Sequence, residues 1–290
     1  MPIVTTRAKL RHAIAGEAPG LVPTLGALHA GHQELIARSA AENRLTVVSI
    51  FVNPTQFQSP ADLARYPRDL DRDAHLSAEA GADLVFAPRV ADIYLPGAAT
   101  SVDVDALTRL WEGASRPGHF RGVATVVTIL LNLVRPGRAY FGEKDYQQLQ
   151  VVKRLHADLA LPGEIVACPT VREADGLALS SRNARLSMTG RRQAAALPRA
   201  LRLMRELAGG GTGDTDTIRR AGLAELRTAP DLVVDYLAVV DGATLDPIPR
   251  IIPGARALAA VILDEVRLID NAALAPGPET EGGERDGLRD

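Results

Sequence analysis

A single cysteine, Cys168, stands in the 290 residues, so no disulfide can form within the chain and nothing suggests an oxidising compartment. A buried, unreactive thiol is the simpler account of it. Excess charge is also missing: 33 Lys and Arg balance 35 Asp and Glu, for a net charge of −2, and no long basic block occurs. Broad electrostatic attraction to nucleic acid or to an anionic membrane therefore has little basis. A small anionic ligand is not excluded, because a helix end and a few local cations can hold one without a basic surface. The longest apolar run, "GVATVVTILLNLV", is interrupted by Thr125, Thr128 and Asn132 and is too short to cross a bilayer. It reads as a buried helix. The opening "MPIVTTRAKLRHAI" lacks the charged-then-apolar layout of a secretory signal. These absences point to a cytoplasmic protein acting on small molecules.

What is present is an alternation. "GLVPT" is followed by a helical pattern in "HQELIARSAAEN", then by the apolar "TVVSIFV". "DLDRDAHLSAEAG" leads to "ADLVFAP", and the "VATVVTILLNLV" helix to "RAYFG", "YQQLQVVKRLHADL" and "EIVACP". Continuous apolar strands separated by helices predict a doubly wound, Rossmann-like α/β domain with a parallel sheet covered on both faces, over residues 1–170. Ligands of such folds sit at the carboxyl ends of the strands. The pattern then changes. Helical segments flank the flexible "GGGTGDTD", and "LVVDYLAVVD" and "ALAAVILDEVRLID" follow, the latter reading as a hairpin turning at Asp264 and Glu265. A smaller α+β domain is expected over 171–277. The acidic, glycine-rich remainder, 278–290, reads as a disordered tail.

Four polar clusters fall at strand ends or connecting loops. In "PTLGALHAGH" a helix starting near Gly31 would present free N–H groups and its positive dipole end, to which His29 and His32 add two imidazoles. Such a patch suits a phosphate chain. Two ordinary surface histidines would give the same spacing, and a zinc site lacks further ligands. In "FVNPTQF", Asn53-Pro54 marks a loop, and Gln56 can donate to and accept from a substrate bearing hydroxyl and carboxylate groups; a self-stabilised turn accounts for it equally well. In "FGEKDYQQL", Gly142 follows a strand, Lys144 offers a cation, Asp145 can hold a ribose hydroxyl or cap the next helix, and Gln148 lies one turn onward. In "VREADGLALSSRN", Ser180, Ser181 and Arg182 could close over a triphosphate, or belong to a solvated linker.

Taken in order, "PTLGALHAGH", "VSIFVNPTQF", "YPRDLDRD", "HFRGVATVV", "FGEKDYQQL" and "READGLALSSRN" closely resemble the pantoate–β-alanine ligase family, from about residue 20 to about residue 270. That family belongs to the nucleotidyltransferases that share the fold of class I aminoacyl-tRNA synthetases, and its H-x-G-H segment is matched by His29, Ala30, Gly31 and His32. The resemblance implies ATP-dependent condensation of (R)-pantoate with β-alanine through a pantoyl-adenylate, releasing AMP and pyrophosphate. It implies an ATP site of Leu25, Gly26, Ala27, Leu28, His29, Ala30, Gly31 and His32. Gly142, Glu143, Lys144 and Asp145, with Val171, Leu179, Ser180, Ser181 and Arg182, would complete that site. Lys144 would take the phosphates and Asp145 the ribose. Gln56 and Gln148 would hold pantoate, Gln56 also approaching β-alanine, and Asp73 would stand near a Mg²⁺ ion. His32 matches a position described as a proton donor. Carboxylate attack on the α-phosphorus moves no proton that needs one, so both histidines are read as phosphate-binding and charge-stabilising groups, acting with Lys144, Ser180, Ser181 and Arg182.

The resemblance further implies a homodimer with no nucleic-acid or membrane partner, its second domain serving as a lid. Three positions depart from the family pattern. Leu25 and Leu179 stand where methionine is usual, a change of similar volume, and Asp69 stands where threonine is common. Two other readings are open: a related nucleotidyltransferase that stops at the nucleotide adduct, and an idle nucleotide-binding module. Loss of His32 or Lys144 would favour the idle module, and both are present.

Overall fold

The computed structural model describes residues 1–275; the acidic tail expected over 278–290 lies outside them. The chain divides into two compact units, Met1–Arg185 and Leu186 onward. The division falls beyond the boundary expected at residue 170. The segment after β6 folds back on itself, with Arg172 bridged to Ala178 and with Leu177 and Ala178 buried, so it stays with the first unit.

In the first unit the strands are β1 (Ile3–Val4), β2 (Gly20–Thr24), β3 (Thr46–Ile50), β4 (Leu84–Phe86), β5 (Arg138–Gly142) and β6 (Glu164–Cys168). They form one sheet in the order β1-β4-β3-β2-β5-β6, parallel throughout. The doubly wound parallel sheet is the architecture that the apolar runs predict. The short β1 and the helix Arg7–Ala13 carry too few apolar residues to stand out beforehand.

The connections explain the two covered faces. From β2 the chain moves outward to β3 and β4 through the helices Ala30–Glu42 and Leu70–Glu79. It then crosses back through His119–Val134 to β5, and through Tyr146–Asp158 to β6. Right-handed crossovers running in opposite directions place their helices on opposite faces. The helix His119–Val134 accordingly packs on Arg7–Ala13 and Tyr146–Asp158, and Ala30–Glu42 packs on Leu70–Glu79.

The direction reverses between β2 and β5. Their pairing covers only Gly20 with Arg138 and Leu21 with Ala139, and stops before Pro23, which has no N–H to extend a ladder. The two strands part there, and a crevice at such a switch point is where doubly wound sheets bind ligands.

The second unit has an antiparallel sheet, β7 (Val233–Asp241), β8 (Ala255–Leu263) and β9 (Val266–Ala273), in that order. The helices Met188–Ala194, Ala196–Gly209 and Thr215–Leu226 accompany it. The hairpin turns at Asp264 and Glu265, whose φ angles of 51° and 61° are those of a two-residue turn matched to strand twist.

Candidate functional site

After β2 the chain turns through Gly26 (φ 87°) and Ala27 (φ 52°), two successive residues in the left-handed region. Three side chains of "YPRDLDRD" hold this turn. Tyr66 donates its hydroxyl to the Gly26 carbonyl at 3.2 Å, and Arg72 donates to the Leu28 carbonyl at 3.2 Å. Asp73 accepts the N–H of Ala27 and the N–H of Leu28, each at 2.8 Å. Leu28 itself points into the core with Val22, Ile36, Val48 and Tyr140, so its side chain anchors the loop.

The helix Ala30–Glu42 then begins, capped by its own histidines. His29 Nδ1 accepts the Gly31 N–H at 3.1 Å, and His32 Nδ1 accepts the His29 N–H at 3.4 Å. The rings lie 4.1 Å apart between centroids. A backbone N–H can only donate, so each Nδ1 must be unprotonated and each neutral ring carries its proton on Nε2. Burial holds the His32 imidazole down to about 3, with the neighbouring His29 adding to the effect and Asp145 opposing it. Burial, then Lys144, lower His29 in the same direction. The pair is a set of two neutral N–H donors at a helix start.

His119 is a third such ring, held at about 4 by burial and by the charge of Arg116. For all three imidazoles the folded value lies below the ordinary 6.5, so the unfolded chain binds a proton that the folded chain refuses. His32 and His119 each cost about 1.4 kcal/mol of stability per pH unit once pH falls below the unfolded value, and His29 acts in the same direction. The melting temperature is therefore expected to fall from pH 6.5 toward pH 4.5, measured by thermal denaturation in buffers of equal ionic strength. A flat profile over that window would show that these rings are not held neutral.

The "NPTQ" segment forms a short turn after β3 in which the Asn53 carboxamide has an assigned direction. The Thr55 N–H at 3.3 Å, the Thr55 hydroxyl at 2.9 Å and the Tyr94 hydroxyl at 2.8 Å all donate to Asn53 Oδ1. Asn53 Nδ2 then donates to the Gly122 carbonyl at 3.1 Å and to Gln56 Oε1 at 3.0 Å. Two backbone groups fix this polarity, Thr55 N–H as donor and Gly122 C=O as acceptor. The Gln56 oxygen is thereby engaged, and its Nε2 makes no hydrogen bond among the described residues. His119 Nδ1 meets the Gln56 carbonyl at 2.9 Å. Gly122 is required for this docking, since a Cβ there would lie 2.5 Å from the Thr55 carbonyl oxygen.

Beyond β5, Lys144 and Asp145 lie 3.4 Å apart. Burial pushes the Asp145 carboxyl up, but Lys144 and Arg182 outweigh it and hold the group below the usual carboxylate range. The same carboxylate acts on His29, His32, His119 and Tyr66, which places the "HAGH", "GEKD", "HFRG" and "SSRN" segments at one site. Gln147 is spent on structure: it accepts the Glu112 N–H and donates to the carbonyls of Leu107 and Leu110. Gln148, next in the helix Tyr146–Asp158, has none of these ties and is half-buried. Val171 and Leu179 are joined across a small hairpin by the Leu179 N–H at 2.9 Å, and Leu179 borders Gly31. Ser180 Oγ accepts the Arg182 N–H at 3.2 Å, shaping the serine–arginine turn.

One expectation changes. Asp73 is 1% exposed and both of its oxygens are engaged by backbone N–H groups, so it is not placed as a ligand for Mg²⁺. No group of three or more His, Cys, Asp or Glu that could hold a metal ion occurs among the described residues. Asp69, the departure in "YPRDLDRD", caps the helix that carries Asp73, accepting the Arg72 N–H at 3.0 Å. Residue-level reading also missed Asn53, Tyr66, Tyr94, Arg116 and His119 as members of the site. The available signal was that Tyr66 and the "RPGHFRG" run lie in or beside the family-like segments.

Known proteins resemble this chain along most of its length. The family described as pantoate-beta-alanine ligase matches residues 2–273. The pantothenate synthetase of Thermus thermophilus is 54% identical over 277 residues, covering 95% of this chain and 100% of the relative. That of Moorella thermoacetica is 50% identical over 279 residues, covering 94% and 99%. A crystal structure of the Thermus thermophilus enzyme superposes with a TM-score of 0.92 at 54% identity, covering 95% and 100%. A Francisella tularensis pantoate-beta-alanine ligase complexed with beta-gamma ATP and beta-alanine gives a TM-score of 0.78 at 33% identity, covering 94% and 98%. No helix among the described residues is long and apolar enough to cross a membrane.

Proposed function

The chain belongs to the pantoate–β-alanine ligase family, and from that premise we propose how its residues carry out the reaction. It is a ligase that forms the amide bond between pantoate and β-alanine at the expense of ATP, in pantothenate biosynthesis. The route we assign runs through a pantoyl-adenylate. A pantoate carboxylate oxygen attacks the α-phosphorus, the bond to the bridging oxygen breaks, and pyrophosphate leaves with the electron pair. The unprotonated β-alanine amine then attacks the acyl carbon, the C–N bond forms as the acyl C–O bond to the phosphate breaks, AMP leaves with the electron pair, and the nitrogen gives up one proton to solvent.

The observation that carries this assignment is the neutral Nε2–H pair of His29 and His32 at a helix start beside Lys144 and Asp145, the latter also within the influence of Arg182. Donors preset in a partly buried crevice stabilise the charge that develops on transferring phosphoryl oxygens. No proton is moved in the first step, so neutral imidazoles suffice. Glycines 26, 31 and 142 let the backbone approach the nucleotide, Asp145 takes a ribose hydroxyl, and Ser180, Ser181 and Arg182 grip the departing phosphates. Gln56 offers its Nε2–H to an oxygen of pantoate, and Gln148 holds the other end. Magnesium would enter as part of the MgATP substrate and would supply charge neutralisation at the phosphates. The homodimer and the cytoplasmic setting belong to this reading through likeness to the family.

The test is to follow pyrophosphate and AMP with purified protein and MgATP. Pantoate alone should support exchange of labelled pyrophosphate into ATP, and AMP should accumulate only when β-alanine is added. Exchange that requires β-alanine would remove the adenylate from the scheme.

A further inference from the structure

We propose that Asp73 is a positioning residue for adenylate formation, holding the backbone of Ala27 and Leu28 so that His29 and His32 meet the nucleotide; this rests on the ATP assignment of the "HAGH" segment. The carboxylate reaches across from the first turn of the helix Leu70–Glu79. Each of its oxygens takes one N–H of the turn, and it is among the most buried charged groups of the chain. A buried carboxylate persists only where its hydrogen bonds are made; two backbone donors supply them, and the Arg72 guanidinium 3.8 Å away adds a counter-charge.

The turn needs such a partner. Successive left-handed residues are unfavourable for anything but glycine, and Ala27 is not glycine. In that conformation the N–H groups of Ala27 and Leu28 point the same way, into a concavity suited to an anion. Asp73 fills it. A Cβ on Gly26 would come within 2.8 Å of Asp73 Oδ2, so the glycine and the acid are fitted to each other. Leu28 is fixed on its other side by the core, and His29 follows at once as the helix cap. Release of the turn therefore moves the cap and both imidazoles, while the sheet beneath keeps its packing.

The experiment compares Asp73→Asn with the unaltered enzyme in pantoate-dependent ATP–pyrophosphate exchange. Asparagine keeps the shape but brings an N–H₂ against one of the two N–H donors. The expected result is a drop in kcat on the order of 10²-fold, as for a small misplacement of reacting groups, with a raised KM for ATP and an unchanged KM for pantoate. The Mg²⁺ dependence should not shift, and amide exchange at Ala27 and Leu28 should accelerate. Unaltered exchange kinetics would overturn the proposal, as would a loss restored by raising Mg²⁺, which would make Asp73 a metal ligand. If Asp73→Asn melts below the assay temperature, Gly26→Ala perturbs the same contact with the carboxylate retained. It should reproduce the kinetic pattern, and normal kinetics there would equally overturn the proposal. His32→Ala separates the two claims: full exchange activity in that variant removes the ATP assignment itself, whereas loss there beside normal Asp73→Asn kinetics removes only the positioning role.

Discussion

Replacing His32 with alanine is expected to slow pantoate-dependent ATP–pyrophosphate exchange by roughly 10²–10³-fold, the scale of losing one preset donor to a developing oxyanion. The fold should survive, because the ring's one backbone bond, from the His29 N–H, is long and can pass to water. The pH dependence of the loss is diagnostic. With the imidazole held near 3, the free enzyme carries the same neutral ring at pH 6 and pH 8.5, so the ratio of wild-type to variant rates should stay constant across that range. A proton donor would instead fade as pH rises. His32→Gln sharpens the distinction, since its carboxamide retains an N–H donor and has no titrating proton. Partial recovery in glutamine over alanine supports a neutral donor, and equal rates in the two variants would argue against it.

The second large effect is at Gln56. Its side-chain oxygen already accepts from Asn53, whose own direction is fixed by the Thr55 N–H and the Gly122 carbonyl. What the side chain has left to offer is an N–H donor. Gln56→Glu keeps size and the Asn53 contact but replaces that donor with an acceptor facing a carboxylate-bearing substrate. Loss of a hydrogen bond to a charged group is worth roughly 1.5–3 kcal/mol, so the KM for pantoate should rise by roughly 10–10²-fold, with the KM for ATP little changed. Steady-state kinetics with each substrate varied in turn reads the difference. An equal rise in both constants would show that the residue supports the site as a whole.

Much of the architecture is legible in the chain because local rules and the global fold agree. β2, β3 and β5 are apolar runs bounded by turn residues, and the Asp264–Glu265 turn stands between two alternations of the right length. The order of strands is not written locally, since it depends on which strands pair across long stretches of chain, the short β2–β5 contact among them. At the site, the residue types of "HAGH" and "GEKD" announce phosphate chemistry. The tautomers do not: they depend on which backbone N–H meets each Nδ1. Asp73 is the clearest case of what composition conceals. An acid in the first turn of a helix suits the helix dipole, and nothing in "YPRDLDRD" tells that both oxygens are engaged by a loop dozens of residues earlier in the chain. Gln147 and Gln148 are likewise indistinguishable by type, and only packing commits the first to three backbone groups.

The lone thiol has a use that chemistry alone would not suggest. Cys168 ends β6, hidden beside Arg38 and paired directly with Gly142, the residue that opens the "GEKD" loop. A thiol reagent can reach it only when this edge of the sheet comes apart. Its labelling rate is therefore a clock for local opening, with one hand and no competing signal, and it sits next to the loop assigned to the nucleotide.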